Sequence, residues 1–222
     1  FFAELFANLG NLLRDARSGR AGDVITTLEP EVETRLMSKL AKVNADYKSK
    51  ETGGIIMDPR TGEIIAIGSY PTYDANDLSG ESVSILTNPL VSHVYEFGSI
   101  MKPLTMASAL DAEAVTPLTT YKDTGCMTLD TSTICNFDHT ARGGVPMQQI
   151  LSQSLNMGAA FLAGELGPER LRSYFTKLGF GVKTGIDLPA EASGLITNLE
   201  SPREIEYATA AFGQGVAVTP IE

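Results

Sequence analysis

The sequence predicts a mixed α/β fold of the α+β kind, in which one early β-hairpin precedes a largely helical region. Two apolar, β-rich runs at residues 54–57 and 63–67 flank Asp58-Pro59-Arg60-Thr61-Gly62. In that turn Pro59 presets φ and Gly62 accepts a positive φ. After the hairpin, apolar residues recur mainly at helical spacing. Two adjacent strands rarely make a stable sheet by themselves. The chain therefore reads as the start of a larger sheet whose later strands are missing.

In chain order, residues 1–22 read as a helical piece and a polar, Gly-containing connector, and 23–222 as the N-terminal portion of one domain. Val24-Ile25-Thr26-Thr27 is a short strand candidate. From 30 to 47, Val32, Leu36, Leu40 and Val43 recur at helical spacing, with Pro30 suited to a first turn. Both hairpin runs are nearly continuous in apolar residues, which predicts strands covered on both faces. Residues 99–110 read as a buried helix rich in Met, Leu and Ala, and 114–145 as irregular and turn-rich. Helices are expected over 146–152 and 156–166, the second with small residues (Gly158, Ala159, Ala160, Ala163, Gly164) that allow close packing. Another is expected over 168–178, with Leu171, Phe175 and Leu178 on one face and Gly179 as its stop. Ser201-Pro202-Arg203-Glu204 reads as a capping box opening a helix through Ala211.

At 222 residues the chain is long enough for one domain with a substantial core. A formal net charge of −10 argues against a nucleic-acid partner, which needs clustered Lys and Arg. No apolar run reaches membrane-spanning length. The apolar start is broken by Glu4 and Asn8 and lacks the marks of a signal peptide; if the protein works outside the cytoplasm, its export or anchor segment is expected outside this chain. Cys126 and Cys135 are spaced for a bridge across a short loop, equally for two buried thiols. His93 and His139 show no zinc-type pairing, and no metal is expected.

Two short patterns carry chemistry. In Ser99-Ile100-Met101-Lys102, residues three apart share a helix face, so Lys102 reaches the Ser99 hydroxyl one turn back. A serine is a weak nucleophile until a base takes its proton, and a nearby lysine is such a base. The second is Ser154-Leu155-Asn156, on a turn between two expected helices. Its hydroxyl can relay a proton and its amide can hold a substrate in register, although Ser and Asn favour turns in any case.

Taken in order, the segments resemble the transpeptidase domain of a penicillin-binding protein of the monofunctional class B type. The resemblance rests on residues 53–66, on 69–76, on Tyr95-Glu96-Phe97-Gly98-Ser99-Ile100-Met101-Lys102-Pro103, on Ser154-Leu155-Asn156, on 178–191 and on 211–220. It implies a penicillin-binding/serine β-lactamase-like transpeptidase fold, truncated to its opening hairpin and helical region. Ser99 would attack the D-Ala-D-Ala carbonyl of a peptidoglycan stem peptide, and Lys102 would accept its proton. Ser154 would pass a proton to the departing D-Ala, and Asn156 would position the stem or a β-lactam side chain. The resemblance further implies β-lactam binding, no cofactor, and a membrane glycosyltransferase partner. It implies a place in the bacterial cell envelope, on the extracytoplasmic face of the inner membrane.

The family's third motif is Lys-Thr/Ser-Gly on a strand facing the serine. Lys183-Thr184-Gly185 has that composition but follows Asn156 too closely and runs into Ile186-Asp187-Leu188-Pro189, a poor central strand. It is read as a structural loop, and the true third motif as lying beyond Glu222. On that reading the isolated chain is expected to be inactive and either marginally stable or oligomeric. Phe97 departs from the Pro usual before the glycine. Asp138 and His139 read as solvated loop residues. Two other functions share Ser-x-x-Lys: a D,D-carboxypeptidase or β-lactam hydrolase, and a non-catalytic β-lactam sensor or structural partner in a wall-synthesis complex.

Overall fold

The computed structural model describes residues 24–74, 77 and 86–222. The helical piece and connector expected over 1–22, and Ala75 and Asn76, lie outside the described residues. The chain divides into two compact units: one holds residues up to 93 with 185–192 and 221, the other 94–184, 193–220 and 222.

In the first unit α1 spans Pro30–Tyr47, with Pro30 opening the helix and Glu31 and Glu33 in its first turn, where they favour the positive end of the helix dipole. It ends at Lys48 in a left-handed conformation. The hairpin β1 (Thr52–Met57) and β2 (Ile64–Tyr70) is antiparallel, in a register that pairs Gly54 with Gly68 and Ile56 with Ala66. Gly62 takes the positive φ expected of the turn. Gly54 and Gly68 let α1 lie against the sheet: a Cβ on Gly54 would stand 3.1 Å from Leu36, and one on Gly68 would overlap Met37. On the opposite face Gly53 admits Leu90 of the short α2 (Pro89–Ser92). No residue of β1 is buried, with Gly53, Ile56 and Met57 exposed, and in β2 only Ala66 and Gly68 are buried, so the expectation of strands covered on both faces is not met. Val24-Ile25-Thr26-Thr27 forms no strand. Instead the Thr27 hydroxyl donates to Ile64 O at 2.6 Å and Glu29 N–H to Ile65 O at 2.9 Å, partly occupying the β2 edge.

The second unit carries the helical core. A 3₁₀ turn at Gly98–Met101 leads into α3 (Lys102–Asp111). The segment 114–145 is not irregular throughout. It contains β3 (Thr120–Asp123), β4 (Cys126–Leu129), β5 (Ser132–Cys135) and the start of β6 (Gly143–Pro146), with β3 paired to β6 and β4 to β5. Then follow α4 (Met147–Ser152), α5 (Asn156–Leu166), α6 (Pro168–Lys177), a 3₁₀ turn at Thr197–Glu200 and α7 (Glu204–Ala210). Helix α5 is apolar on most of its surface, with only Asn156 at its start and the exposed Glu165 near its end polar. It buries Met157, Ala159, Leu162 and Leu166 among others. Gly158 is required, since a Cβ there would strike Ile150 at 2.5 Å and the Tyr121 hydroxyl at 2.9 Å. On α6, Leu171 and Phe175 are fully buried, but Leu178 caps the helix and is 48% exposed. The expected capping box does not form: the Ser201 hydroxyl accepts from Arg203 N–H, and Arg203 is the N-cap of α7.

Cys126 and Cys135 are joined in a disulfide that closes the β4–β5 hairpin. Constraining so short a loop stabilises by about 2–3 kcal/mol in a loop-entropy account. Urea unfolding with and without reductant is expected to show a loss of that size. His139 lies beside the bridge, Nδ1 at 3.6 Å from Cys126 Sγ, but both sulfurs are bonded and neither is a thiolate that could hold zinc.

Candidate active site

The site is assembled within the second unit by the start of α3 and the junction of α4 with α5. Gly98, at φ +62°, turns the chain into the 3₁₀ segment, whose Ser99 C=O accepts from Lys102 N–H. Ser99 faces solvent, whereas Lys102 is 1% exposed. The spacing of three places Lys102 Nζ 2.9 Å from Ser99 Oγ, as expected from the sequence.

Helix α4 ends at Ser152, and Ser154 takes a left-handed conformation at φ +53° in the turn before α5. This projects both its polar atoms at the lysine: Nζ is 2.7 Å from Ser154 O and 2.9 Å from Ser154 Oγ. Asn156, the first residue of α5, brings Oδ1 to 2.8 Å from Nζ. Its Nδ2 donates to Cys135 O at 2.9 Å. A carbonyl cannot donate, so that bond fixes which end of the amide faces Lys102. All four expected residues, Ser99, Lys102, Ser154 and Asn156, thus meet around one nitrogen.

The geometry of that nitrogen decides its chemistry. Ser154 O and Asn156 Oδ1 only accept, and they take two N–H bonds whether Lys102 is charged or neutral. The remaining tetrahedral position points at the two hydroxyls. It is an N–H in the ammonium and a lone pair in the amine. Burial pushes the Lys102 pKa down to about 8, within reach of neutral pH. A neutral amine aimed at a solvent-facing serine hydroxyl can take up its proton, which is what activating a serine nucleophile requires. The Ser154 hydroxyl, on the same nitrogen, can also pass a proton.

Lys183-Thr184-Gly185 belongs to no strand, and Lys183 is exposed. Asp138 is exposed and paired with Arg142 at 2.9 Å. Several supports of the site were not foreseen. Glu96 Oε1 accepts from Gly215 N–H at 3.0 Å, tying the approach to Ser99 to the turn at 213–215. Phe97, which departs from the proline usual at that position in the family the sequence resembles, has φ −75°, a value a proline would also adopt, and packs against the core. Asn136 and Asp123 lie buried below α5. Their only sequence signal is that both are polar and lie in a segment that forms short strands.

Residues 52–222 match the family model described as the penicillin binding protein transpeptidase domain. The chain is 34% identical over 202 residues to Stage V sporulation protein D of Bacillus subtilis, covering 90% of this chain and 31% of that protein. It is 30% identical over 216 residues to the probable peptidoglycan D,D-transpeptidase FtsI of Caulobacter vibrioides, covering 96% of this chain and 36% of that protein. The chain therefore spans about a third of the length of these two curated relatives. Among solved structures it resembles the apo TP domain of Burkholderia pseudomallei penicillin-binding protein 3, with TM-score 0.76 and 26% identity over 89% of this chain and 56% of that one. A peptidoglycan glycosyltransferase from Burkholderia ambifaria superposes with TM-score 0.77 and 29% identity, over 88% of this chain and 57% of that chain.

Proposed function

Since the chain belongs to the penicillin-binding protein transpeptidase family, we propose that the protein carrying it is a serine D,D-transpeptidase that crosslinks peptidoglycan stem peptides. The observation that carries this reading is the buried Lys102 amine within 2.9 Å of both Ser99 Oγ and Ser154 Oγ. On it, Ser99 Oγ attacks the carbonyl of the D-Ala-D-Ala bond while its proton passes to Lys102 Nζ. The C–N bond breaks, and the departing D-Ala amine takes a proton relayed through the Ser154 hydroxyl. The stem is left as an ester on Ser99. The amine of a neighbouring stem attacks that ester and loses a proton to Lys102, and Ser99 regains its hydrogen as the new amide leaves. Asn156 holds Lys102 in place and offers its amide to the substrate. A β-lactam follows the first half of this path and stays on Ser99.

Residues 23–222 are read as the N-terminal portion of the transpeptidase domain, which the family match over 52–222 supports. On this reading the protein works in the bacterial cell envelope, on the extracytoplasmic face of the inner membrane, beside a membrane glycosyltransferase that supplies glycan strands. The test is covalent labelling of the complete protein with a fluorescent penicillin. A stable adduct mapping to the Ser99 peptide, lost in Ser99→Ala, is expected. An adduct that turns over within minutes would point to a hydrolase, and labelling that survives Ser99→Ala would remove Ser99 as the nucleophile.

A further inference from the structure

Below the start of α5 sits a polar pair that the acyl-transfer chemistry does not touch. Asp123, at the end of β3, and Asn136, just past β5, are 1% and 2% exposed. A buried carboxylate is costly unless its lone pairs are met. Here Gly125 N–H donates to Oδ1 at 2.7 Å, and Asn136 Nδ2 lies 3.0 Å from Oδ1 and 2.9 Å from Oδ2. A carboxylate only accepts, so Asn136 must turn its nitrogen toward Asp123. Its oxygen then faces α5, where it accepts from Met157 N–H at 3.1 Å.

Met157 N–H is one of the four donors that a helix start leaves without an intrahelical partner. Leu155, the N-cap of α5, supplies no side-chain bond, so Asn136 meets that donor from another part of the chain. The neighbouring Cys135 C=O takes the amide of Asn156 at 2.9 Å. Residues 135 and 136 thus grip 156 and 157 by two successive bonds. Asn156 is the residue that presents Oδ1 to Lys102.

We propose that Asn136, oriented by Asp123, is a positioning residue for acyl transfer, setting the start of α5 so that Asn156 is aimed at Lys102. This rests on the serine acyl-transfer reading above. The pair acts by polarity: Asp123 dictates which end of Asn136 faces the helix. Exchanging the two side-chain types keeps the bonds to Gly125, to Met157 and between the pair, and gives up only the two long contacts, Tyr121 hydroxyl to Asp123 Oδ2 at 3.5 Å and Asn136 Nδ2 to Thr140 O at 3.4 Å. In Asp123→Asn/Asn136→Asp, the amide at 123 keeps an oxygen for Gly125 N–H and donates to the carboxylate at 136, which still accepts from Met157 N–H. The single change Asn136→Asp instead sets two carboxylates face to face.

The test measures the acylation rate of the complete protein at saturating fluorescent penicillin, well below each variant's thermal transition, so that global stability does not enter. Asn136→Asp is expected to slow acylation ~10-fold or more, since small misplacement of a catalytic group is costly in rate. The exchanged double variant is expected to recover to within ~3-fold of wild type. A wild-type rate in Asn136→Asp overturns the proposal. So does a double variant that folds but acylates no faster than the single one, or that does not fold. If Asn136→Asp does not fold, the double variant decides alone, and an impaired rate in it overturns the proposal. A wild-type protein that forms no adduct sinks the acyl-transfer reading instead.

Discussion

Lys102→Met in the complete protein is expected to slow penicillin acylation of Ser99 by ~10²–10⁴-fold, the span that a positioned general base contributes. Methionine fills similar space, so little packing is lost. Stability is pulled two ways: a costly buried ammonium is removed, while Ser154 O and Asn156 Oδ1 lose their donor. The rate should therefore fall far more than the melting temperature. Lys102→Arg separates charge from basicity, because a guanidinium keeps the cation but does not give up its proton; it should be as slow as the methionine variant. The same base fixes the pH dependence. Only the neutral amine accepts the Ser99 proton, and its pKa is lowered from 10.5 to about 8 by burial. The wild-type rate should climb about tenfold per pH unit on the acid side and level off above pH about 8. The linked effect on folding has a definite sign. The unfolded chain holds the lysine proton more tightly than the folded one, so stability from this group increases as pH rises from about 8 to about 10.5 and is absent in the methionine variant. A wild-type acylation rate that is flat from pH 6 to 9 would remove Lys102 as the base.

The site was legible in the sequence through the ordered resemblance of its segments to a known family, since each short pattern alone is common; the local spacing then gives its geometry. Ser99 and Lys102 are one turn apart, and Ser154 and Asn156 sit on a turn that their own residue types favour. Helices α1 and α5 were read to their observed ends because long segments repeat a periodic or compositional signal. The strands of 120–146 escaped because each is four residues long, too short to show alternation, and β6 begins with two glycines. Asp123 and Asn136 escaped for a related reason: their meaning comes from Met157, brought to them by strands that were themselves unread. The Ser201 box failed through competition. Ser201 O and Leu199 O both lie within hydrogen-bonding distance of the Tyr207 hydroxyl, fixing the approach to α7 in a geometry that leaves Arg203 as the cap.

Gly213→Ala is expected to disable the nucleophile without touching it. Gly213 stands at φ +82°, where any other L-residue costs roughly 1–2 kcal/mol. The larger effect is steric. A Cβ there would lie 2.3 Å from Gly98 O and 2.7 Å from both Gly98 Cα and Gly98 N. These are backbone atoms of the residue before Ser99, with no flexible end to yield. The 213 side is held on both flanks: Ala211 O accepts from the buried Thr105 hydroxyl at 2.9 Å, and Val218 exchanges two backbone bonds with Tyr95 at 2.9 and 3.0 Å. Glu96 adds a third hold through Gly215 N–H. The strain therefore falls on the turn at Gly98, itself at φ +62°, and carries Ser99 away from Lys102. Acylation should fall ~10²-fold, as expected when a reacting group is misplaced by about an ångström. Gly179→Ala separates the two causes, since Gly179 also has a positive φ, +99°, but a Cβ there meets nothing within 4 Å. It should lower the thermal transition while leaving the acylation rate near wild type. Equal rates in the two alanine variants would mean that the contact between Gly213 and Gly98 does not set the position of Ser99.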